Sequence, residues 1–234
     1  MNSLNDRIAR RITDSPVFAG MDPFRINHLL LHSRCKYLSR GELLFSPGDP
    51  SEGLLLVLDG IFKLYAEDGA GHQKVIDLMG RGHIVPGTQM TSVSHHAHHA
   101  RSLSRAAILL IPRDVLQAEL ALDAGLAQRL LEDAARHMRR LMGELEAASL
   151  HSARRRACDF LLGQPALAQP ASPCEEDPSI VVSLPVSKCT VASFLSITPE
   201  HFSRILRELQ RDGLIEMQKR TIRILCPQRL AGIS

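Results

Sequence analysis

The chain predicts an α+β protein in three parts: an antiparallel β-roll of jelly-roll type, one long helix, and a winged helix-turn-helix. Three observations carry that expectation. Between Tyr37 and Ile111, short apolar runs are punctuated by glycines at regular intervals, the texture of strands joined by turns. Residues 113–150 read as helical, and from Leu131 to Ala148 apolar residues recur at alternating steps of three and four, as on one long helix. Near the C-terminus two helical stretches flank a short turn and are followed by two strand-like runs. The expected domains are residues 1–112, 113–150 and 151–234.

The elements follow in order. Residues 14–32 read as one or two short helices, with Phe18, Phe24, Ile26, Leu29 and Leu30 as the apolar set. The roll strands are Glu42–Phe45, Leu54–Leu58, Ile61–Tyr65, Val75–Leu78 and Ala106–Ile111, and Pro112 closes them. In the long helix, Leu131, Ala134, Met138, Leu141, Leu145 and Ala148 form a heptad seam. Glu132, Arg136, Arg139, Arg140 and Glu144 flank it, so a narrow apolar stripe runs between charges, the pattern of a homodimer contact. Residues 151–162 predict a further helix. The Pro- and acid-rich stretch 163–179 predicts a loop, and Ile180–Leu184 a strand. A helix over 187–195, a turn at Ser196-Ile197 and a second helix from Thr198 come next. Asp212-Gly213 ends that helix, and Leu214–Met217 and Thr221–Leu225 form a hairpin around Lys219-Arg220.

The second helix of the pair is the most informative segment. Thr198 suits an N-cap and Pro199 the first turn. Phe202, Ile205, Leu206 and Leu209 fall at i, i+3, i+4, i+7, which buries one face. Glu200, Ser203, Arg204, Arg207 and Arg211 then point the other way. A carboxylate, a hydroxyl and a guanidinium at the exposed start of a helix are groups that read base edges in a major groove. The competing reading of Glu200 and Arg204 is a solvated i,i+4 ion pair.

Bulk composition agrees. Residues 1–150 hold 17 Lys+Arg and 17 Asp+Glu, so the net charge of +3 resides in the last third, beside that helix. A local basic excess fits a polyanionic partner, double-stranded DNA. No apolar run approaches the roughly 18 residues of a membrane span, and residues 1–11 lack a signal-peptide core, so a cytoplasmic location without membrane contact is expected. The five cysteines, Cys35, Cys158, Cys174, Cys189 and Cys226, are scattered, as free thiols are. Ser-His-Asp and HExxH patterns are absent, and an enzyme would leave the exposed helix face unexplained.

Four segments together resemble the CRP/FNR family of bacterial transcription regulators: 40–49 (RGELLFSPGD), 56–65 (LVLDGIFKLY), 82–87 (GHIVPG) and 195–205 (LSITPEHFSRI). The last carries the Glu-x-x-Ser-Arg pattern of the FNR side, and 196–205 is similar to DNR-type, haem-dependent nitric-oxide regulators. The resemblance implies a cyclic-nucleotide-binding-type roll, a dimerisation helix, a homodimer on a pseudo-palindromic operator, and RNA polymerase as a partner. It implies an FNR-like half-site, TTGAT, with Arg204 on the guanine, Glu200 accepting from amino groups of the other strand and Ser203 on a thymine. Lys188, Thr198, His201 and Arg207 complete the expected contact set, Lys188 and Arg207 as phosphate contacts. Ser196 stands where the family's turn often has glycine.

The effector is less legible. The family's cyclic-nucleotide branch uses a Gly-Glu and an Arg-Ser pair. Here Pro86-Gly87 and His96-Ala97 stand in their places, so cAMP is not expected. An iron–sulfur cluster needs four thiolates, and the N-terminal region offers only Cys35, so none is expected either. The histidines are dense at His95, His96, His98 and His99. Three readings stand open: an exposed polar loop between strands, regulatory or adventitious metal binding, and ligation of haem b, for which His83 and the 95–99 group are the candidates. His137 lies beside the seam residue Met138. The alternative to a haem- and nitric-oxide-gated regulator is one without a small-molecule effector, controlled by protein level or by oxidation of Cys189.

Overall fold

The computed structural model describes residues 2–86, 95–163, 180–183, 186–218 and 221–233. Two compact units emerge, residues 1–72 with 76–140, and residues 73–75 with 141–234.

The first unit opens with α1 (Asn2–Thr13) and α2 (Pro23–His32). Helix thus precedes residue 14, and the span 14–22 is a series of turns, not the helix expected there. Ile8 and Ile12, one turn apart, bury α1. Val17 and Phe18 are fully buried from the turns, so their apolar signal came from packing and not from helical periodicity. Asp22 caps α2 by accepting from the Phe24 amide at 2.8 Å, with Pro23 in the first turn.

The roll follows: β1 (Arg34–Leu38), β2 (Leu43–Phe45), β3 (Gly53–Asp59), β4 (Phe62–Glu67), β5 (Gln73–Met79), β6 (His99–Ser102) and β7 (Ala106–Pro112). Two sheets form, in the orders β1-β7-β3 and β2-β6-β4-β5. β3 runs antiparallel to β7 with Leu55 opposite Leu110 and Val57 opposite Ile108. Because alternate residues face opposite sides, β3 serves two cores. Leu54, Leu56 and Leu58 join Leu109 and Ile111 beneath the helices, while Leu55 and Val57 join Phe45, Phe62, Leu64 and Ile108 between the sheets. Gly53 is required by close approach: a Cβ there would lie 2.1 Å from the Ile111 carbonyl oxygen.

The helical run after Pro112 is broken. α3 (Arg113–Leu122) ends at Asp123, and α4 (Ala124–Leu150) starts anew. Asp123 leaves helical geometry (φ −139°, ψ 92°), and its carboxylate meets Arg129 at 3.3 Å and Arg25 at 3.5 Å. The expected single helix over 113–150 is corrected to two. An aspartate is a good breaker because its side chain competes for backbone donors.

The second unit contains α5 (Ala153–Leu162), β8 (Ile180–Ser183), α6 (Lys188–Phe194), α7 (Pro199–Arg211), β9 (Ile215–Gln218), β10 (Thr221–Ile224) and α8 (Pro227–Ala231). β10 pairs antiparallel with both β8 and β9, giving the sheet order β8-β10-β9. The expected loop over 164–179, with Cys174, and the wing tip Lys219-Arg220 lie outside the described residues, as does Gly87. Phe202, Ile205, Leu206 and Leu209 of α7 pack with Val191, Leu214 and Ile222 in the core of this unit, each at most 4% exposed.

Candidate nucleic-acid interface

The geometry of α7 begins with its cap. Thr198 sits in extended backbone, and its hydroxyl accepts from the His201 amide at 3.2 Å. The Thr198 side chain therefore has a structural task inside the contact set. Ser187 caps α6 in the same way, accepting from the Thr190 amide at 3.1 Å, which leaves Lys188 exposed in the first turn. The turn between the helices passes through Ser196 at φ +57°, the left-handed region. Arg156 of α5 holds that turn. Its Nε donates to the Leu195 carbonyl at 3.1 Å, and its Nη1 to the carbonyls of His151 at 2.9 Å and Ala148 at 3.3 Å. Sequence reasoning missed Arg156. The run Arg154–Arg156 was its only trace, and nothing in that run says which arginine turns inward.

With one face of α7 anchored, Glu200, Arg204 and Arg207 are exposed, and Ser203 and His201 are half-buried. Among the described residues, no hydrogen bond or ion pair engages the side chains of Glu200, Ser203, Arg204, Arg207 or Lys188. The i,i+4 pair between Glu200 and Arg204 is not formed. A row of uncompensated donors and an acceptor on a rigid, capped helix is chemically suited to an external polar partner. Glu216 and Arg223 extend the polar surface along the hairpin, both exposed.

On α4, Leu131, Ala134, Met138 and Leu145 are exposed in the single chain, Leu131 at 72% and Leu145 at 70%. Leu141 is half-buried, and its neighbour Met142 is 64% exposed.

The histidines of the roll are not one exposed loop. His95 is exposed, His98 half-buried, and His96 only 6% exposed. The His96 ring lies flat on Phe45, with centroids 3.5 Å apart, and burial holds its pKa below the usual imidazole value against the pull of Asp49. His99, in β6, stacks on Tyr65 at 4.9 Å. The Nδ1 atoms of both are buried without a hydrogen-bond partner. A cavity of about 410 Å³ opens beside His96, walled by Phe45, Leu55, Ile108 and Leu110, with Arg34 and Lys36. No group of three or more His, Cys, Asp or Glu suited to a metal ion occurs among the described residues. As a single axial ligand, His83 has the fitting ring. Its Nδ1 lies 3.0 Å from the Gly80 carbonyl, which can only accept, so Nδ1 carries the proton and Nε2 keeps its lone pair.

His137 is half-buried and faces the roll. Asp77 of β5, 1% exposed, binds Arg140 Nη2 at 2.7 Å, with His137 Nδ1 3.8 Å away. Burial lowers the His137 pKa, partly offset by Asp77. Of the described thiols, Cys189 is exposed, while Cys158 is buried and pushed up to about 11 by desolvation. No helix among the described residues is long and apolar enough to cross a membrane.

Comparisons with known proteins agree with this architecture. Residues 35–123 match the cyclic nucleotide-binding domain and residues 155–233 the Crp-like helix-turn-helix domain. The chain is 24% identical to the nitrogen fixation regulation protein FixK of Bradyrhizobium diazoefficiens, over 95% of this chain and 91% of that protein. It is 21% identical to the CRP-like cAMP-activated global transcriptional regulator of Mycobacterium tuberculosis, over 92% and 94%. The structure of FixK2 from Bradyrhizobium japonicum superposes with a TM-score of 0.74 at 21% identity, over 85% of this chain and 95% of that one. The capped helix with its unspent polar face and the roll before it are therefore parts of one known design, and the chain belongs to the CRP/FNR family of DNA-binding transcription regulators.

Proposed function

We propose that the protein acts in the cytoplasm as a homodimer on an FNR-like TTGAT-N4-ATCAA palindrome, with Glu200, Ser203 and Arg204 reading each half-site. The observation that carries this is the unpaired set of exposed Glu200, Arg204 and Arg207 with half-buried Ser203 on the anchored helix α7. The stripe Leu131, Ala134, Met138, Leu141 and Leu145 supplies the second copy's contact, with Leu131, Met138 and Leu145 its most exposed large side chains. Two copies set their recognition helices one DNA turn, about 34 Å, apart. Thr198 holds the helix start, while Lys188, His201 and Arg207 meet phosphates. RNA polymerase is the protein partner that such a regulator engages. The test is a binding titration of the full chain against the palindrome and a scrambled duplex. Tight salt-dependent binding to the first and only weak binding to the second is expected. Equal binding to both rejects the base-reading assignment.

For the effector, haem b bound through His83 is the reading that the His83–Gly80 hydrogen bond favours. Haem would supply an iron that takes a diatomic gas such as nitric oxide, as in the DNR-type branch; His83 would hold it in a fixed orientation. A Soret band after haem addition that His83→Ala abolishes is the expected result. A second reading has its own observation. Asp77 of β5 binds Arg140 of α4 at 2.7 Å, so the protein's own side chains join that helix to the roll. Control then falls to protein level or to oxidation of the exposed Cys189. Full DNA affinity of haem-free protein, lost on mild oxidation and kept in Cys189→Ser, supports that second reading.

A further inference from the structure

The turn that leads into α7 is held by a second cation, to which neither reading above gives a task. The second unit includes Gln73–Val75, a short piece from far upstream of the rest of it. Lys74 Nζ donates to the Ser193 carbonyl at 2.6 Å, the Phe194 carbonyl at 2.9 Å and the Ser196 hydroxyl at 2.7 Å. Beside it, the Ser193 hydroxyl accepts from the Val75 amide at 2.9 Å and donates to the Gln73 carbonyl at 3.0 Å. Three successive residues are thus fastened to the end of α6.

The last carbonyls of a helix point away from any partner inside it. Lys74 serves those of Ser193 and Phe194, and Arg156 serves that of Leu195. Ser196 follows at φ +57°, a conformation that glycine takes freely and serine at a cost. Its hydroxyl is one of the three groups that Lys74 binds, so the strained residue and the cation hold each other. Three acceptors converge on one nitrogen and engage every N–H of the ammonium. A guanidinium, whose donors spread over a planar fork, cannot gather them at one atom. The turn then runs straight into the cap of α7: Lys74, Thr198 and Pro199 line one open groove of about 530 Å³.

We propose that Lys74 is a positioning residue for DNA recognition. With Ser193 and Ser196 it locks the turn between α6 and α7, and so the direction in which α7 presents Glu200, Ser203 and Arg204. It makes no phosphate contact itself, because its donors are all engaged within the protein. Preorganising the turn strengthens the binding that needs every base contact in register and does little for loose attachment to phosphates. The role rests on the reading of α7 as the helix that meets base edges.

The test uses the full chain with Lys74→Met, Lys74→Arg, Ser196→Gly and the double variant Lys74→Met with Ser196→Gly. Lys74→Met lowers affinity for the palindrome roughly tenfold, the lower end of what hydrogen bonds to a charged group are worth, and leaves binding to the scrambled duplex unchanged. Lys74→Arg does not restore it. The salt dependence of binding keeps its wild-type slope, whereas a lost phosphate contact reduces that slope by about one. Lys74→Met costs less when Ser196 is already glycine, since residues in contact are coupled. In the DNA-free protein, Lys74→Met speeds amide exchange at Ser196 and Ile197, whose N–H groups bond to the Ser193 and Ala192 carbonyls, and leaves exchange at Leu206 in the middle of α7 as it was. Equal losses on both duplexes, a reduced salt slope, full rescue by arginine, or a cost indifferent to Ser196 overturns the role. A wild type without preference between the duplexes rejects the reading of α7 instead, and the lock then stands or falls on exchange: faster at Ser196 and Ile197 alone upholds it, unchanged or uniformly faster overturns it.

Discussion

The recognition helix and the roll treat their polar groups in opposite ways. On α7, Glu200, Arg204 and Arg207 face solvent with no partner among the described residues, above an apolar face that is 2% exposed or less. In the roll, His96 and Asp77 are buried against Phe45 and Arg140. An outward, unspent group advertises its chemistry in the side-chain type alone. An inward group reveals its purpose only through what it touches, and the same imidazole can be a stacking surface, a metal ligand or a proton acceptor. The difference teaches why regulation is harder to read than recognition.

The comparison can be broken at its strongest point first. Phe202→Ala removes the fully buried anchor of α7 and is expected to cost about 3–5 kcal/mol in stability, measured by denaturant unfolding. A loss below about 1 kcal/mol contradicts the rigid-frame half of the contrast. Arg204→Ala leaves the fold intact and costs about 1–3 kcal/mol in DNA binding, with relaxed choice at the guanine. Unchanged preference in competition titrations removes the outward half. Thr198→Ala lifts the cap and costs about 1 kcal/mol in folding free energy, seen by thermal melts. If DNA affinity drops far more than stability, the Thr198 hydroxyl also contacts DNA.

The smallest effect sharpens the inward half. Burial lowers the pKa of both His96 and His137 in the folded chain. The unfolded chain then binds more protons in the window below about pH 6.5, the ordinary histidine value. Stability is therefore fully present above that pH and falls as pH drops through it. Melting between pH 7.5 and 5.5 checks the slope, and His96→Gln is expected to flatten it. An unaltered slope shows that His96 takes up its proton as readily in the folded state as in the unfolded one.

Much of the fold was legible because its signals are local. Glycine-punctuated runs gave five of the roll strands, and β1 and β6 were missed in whole or part because Arg34, Lys36 and His99 to Ser102 carry little apolar alternation. α1 escaped because Ile8 and Ile12 are its buried pair and most of the other residues of the helix are polar or charged. The split at Asp123 was not legible, since an aspartate between helices looks like any surface acid until Arg25 and Arg129 arrive beside it.

By itself the sequence determined the family, the architecture and the outward chemistry of α7: hydrophobic spacing and capping residues act within a few positions of one another, where chain order is spatial order. The tertiary structure alone decided that Arg156 holds the helix-turn-helix turn, that Asp77 meets Arg140, and that Lys63 stands opposite Arg101. Those relations join residues brought together by strand register and helix rotation, and no linear pattern records the energy of groups that meet only after folding.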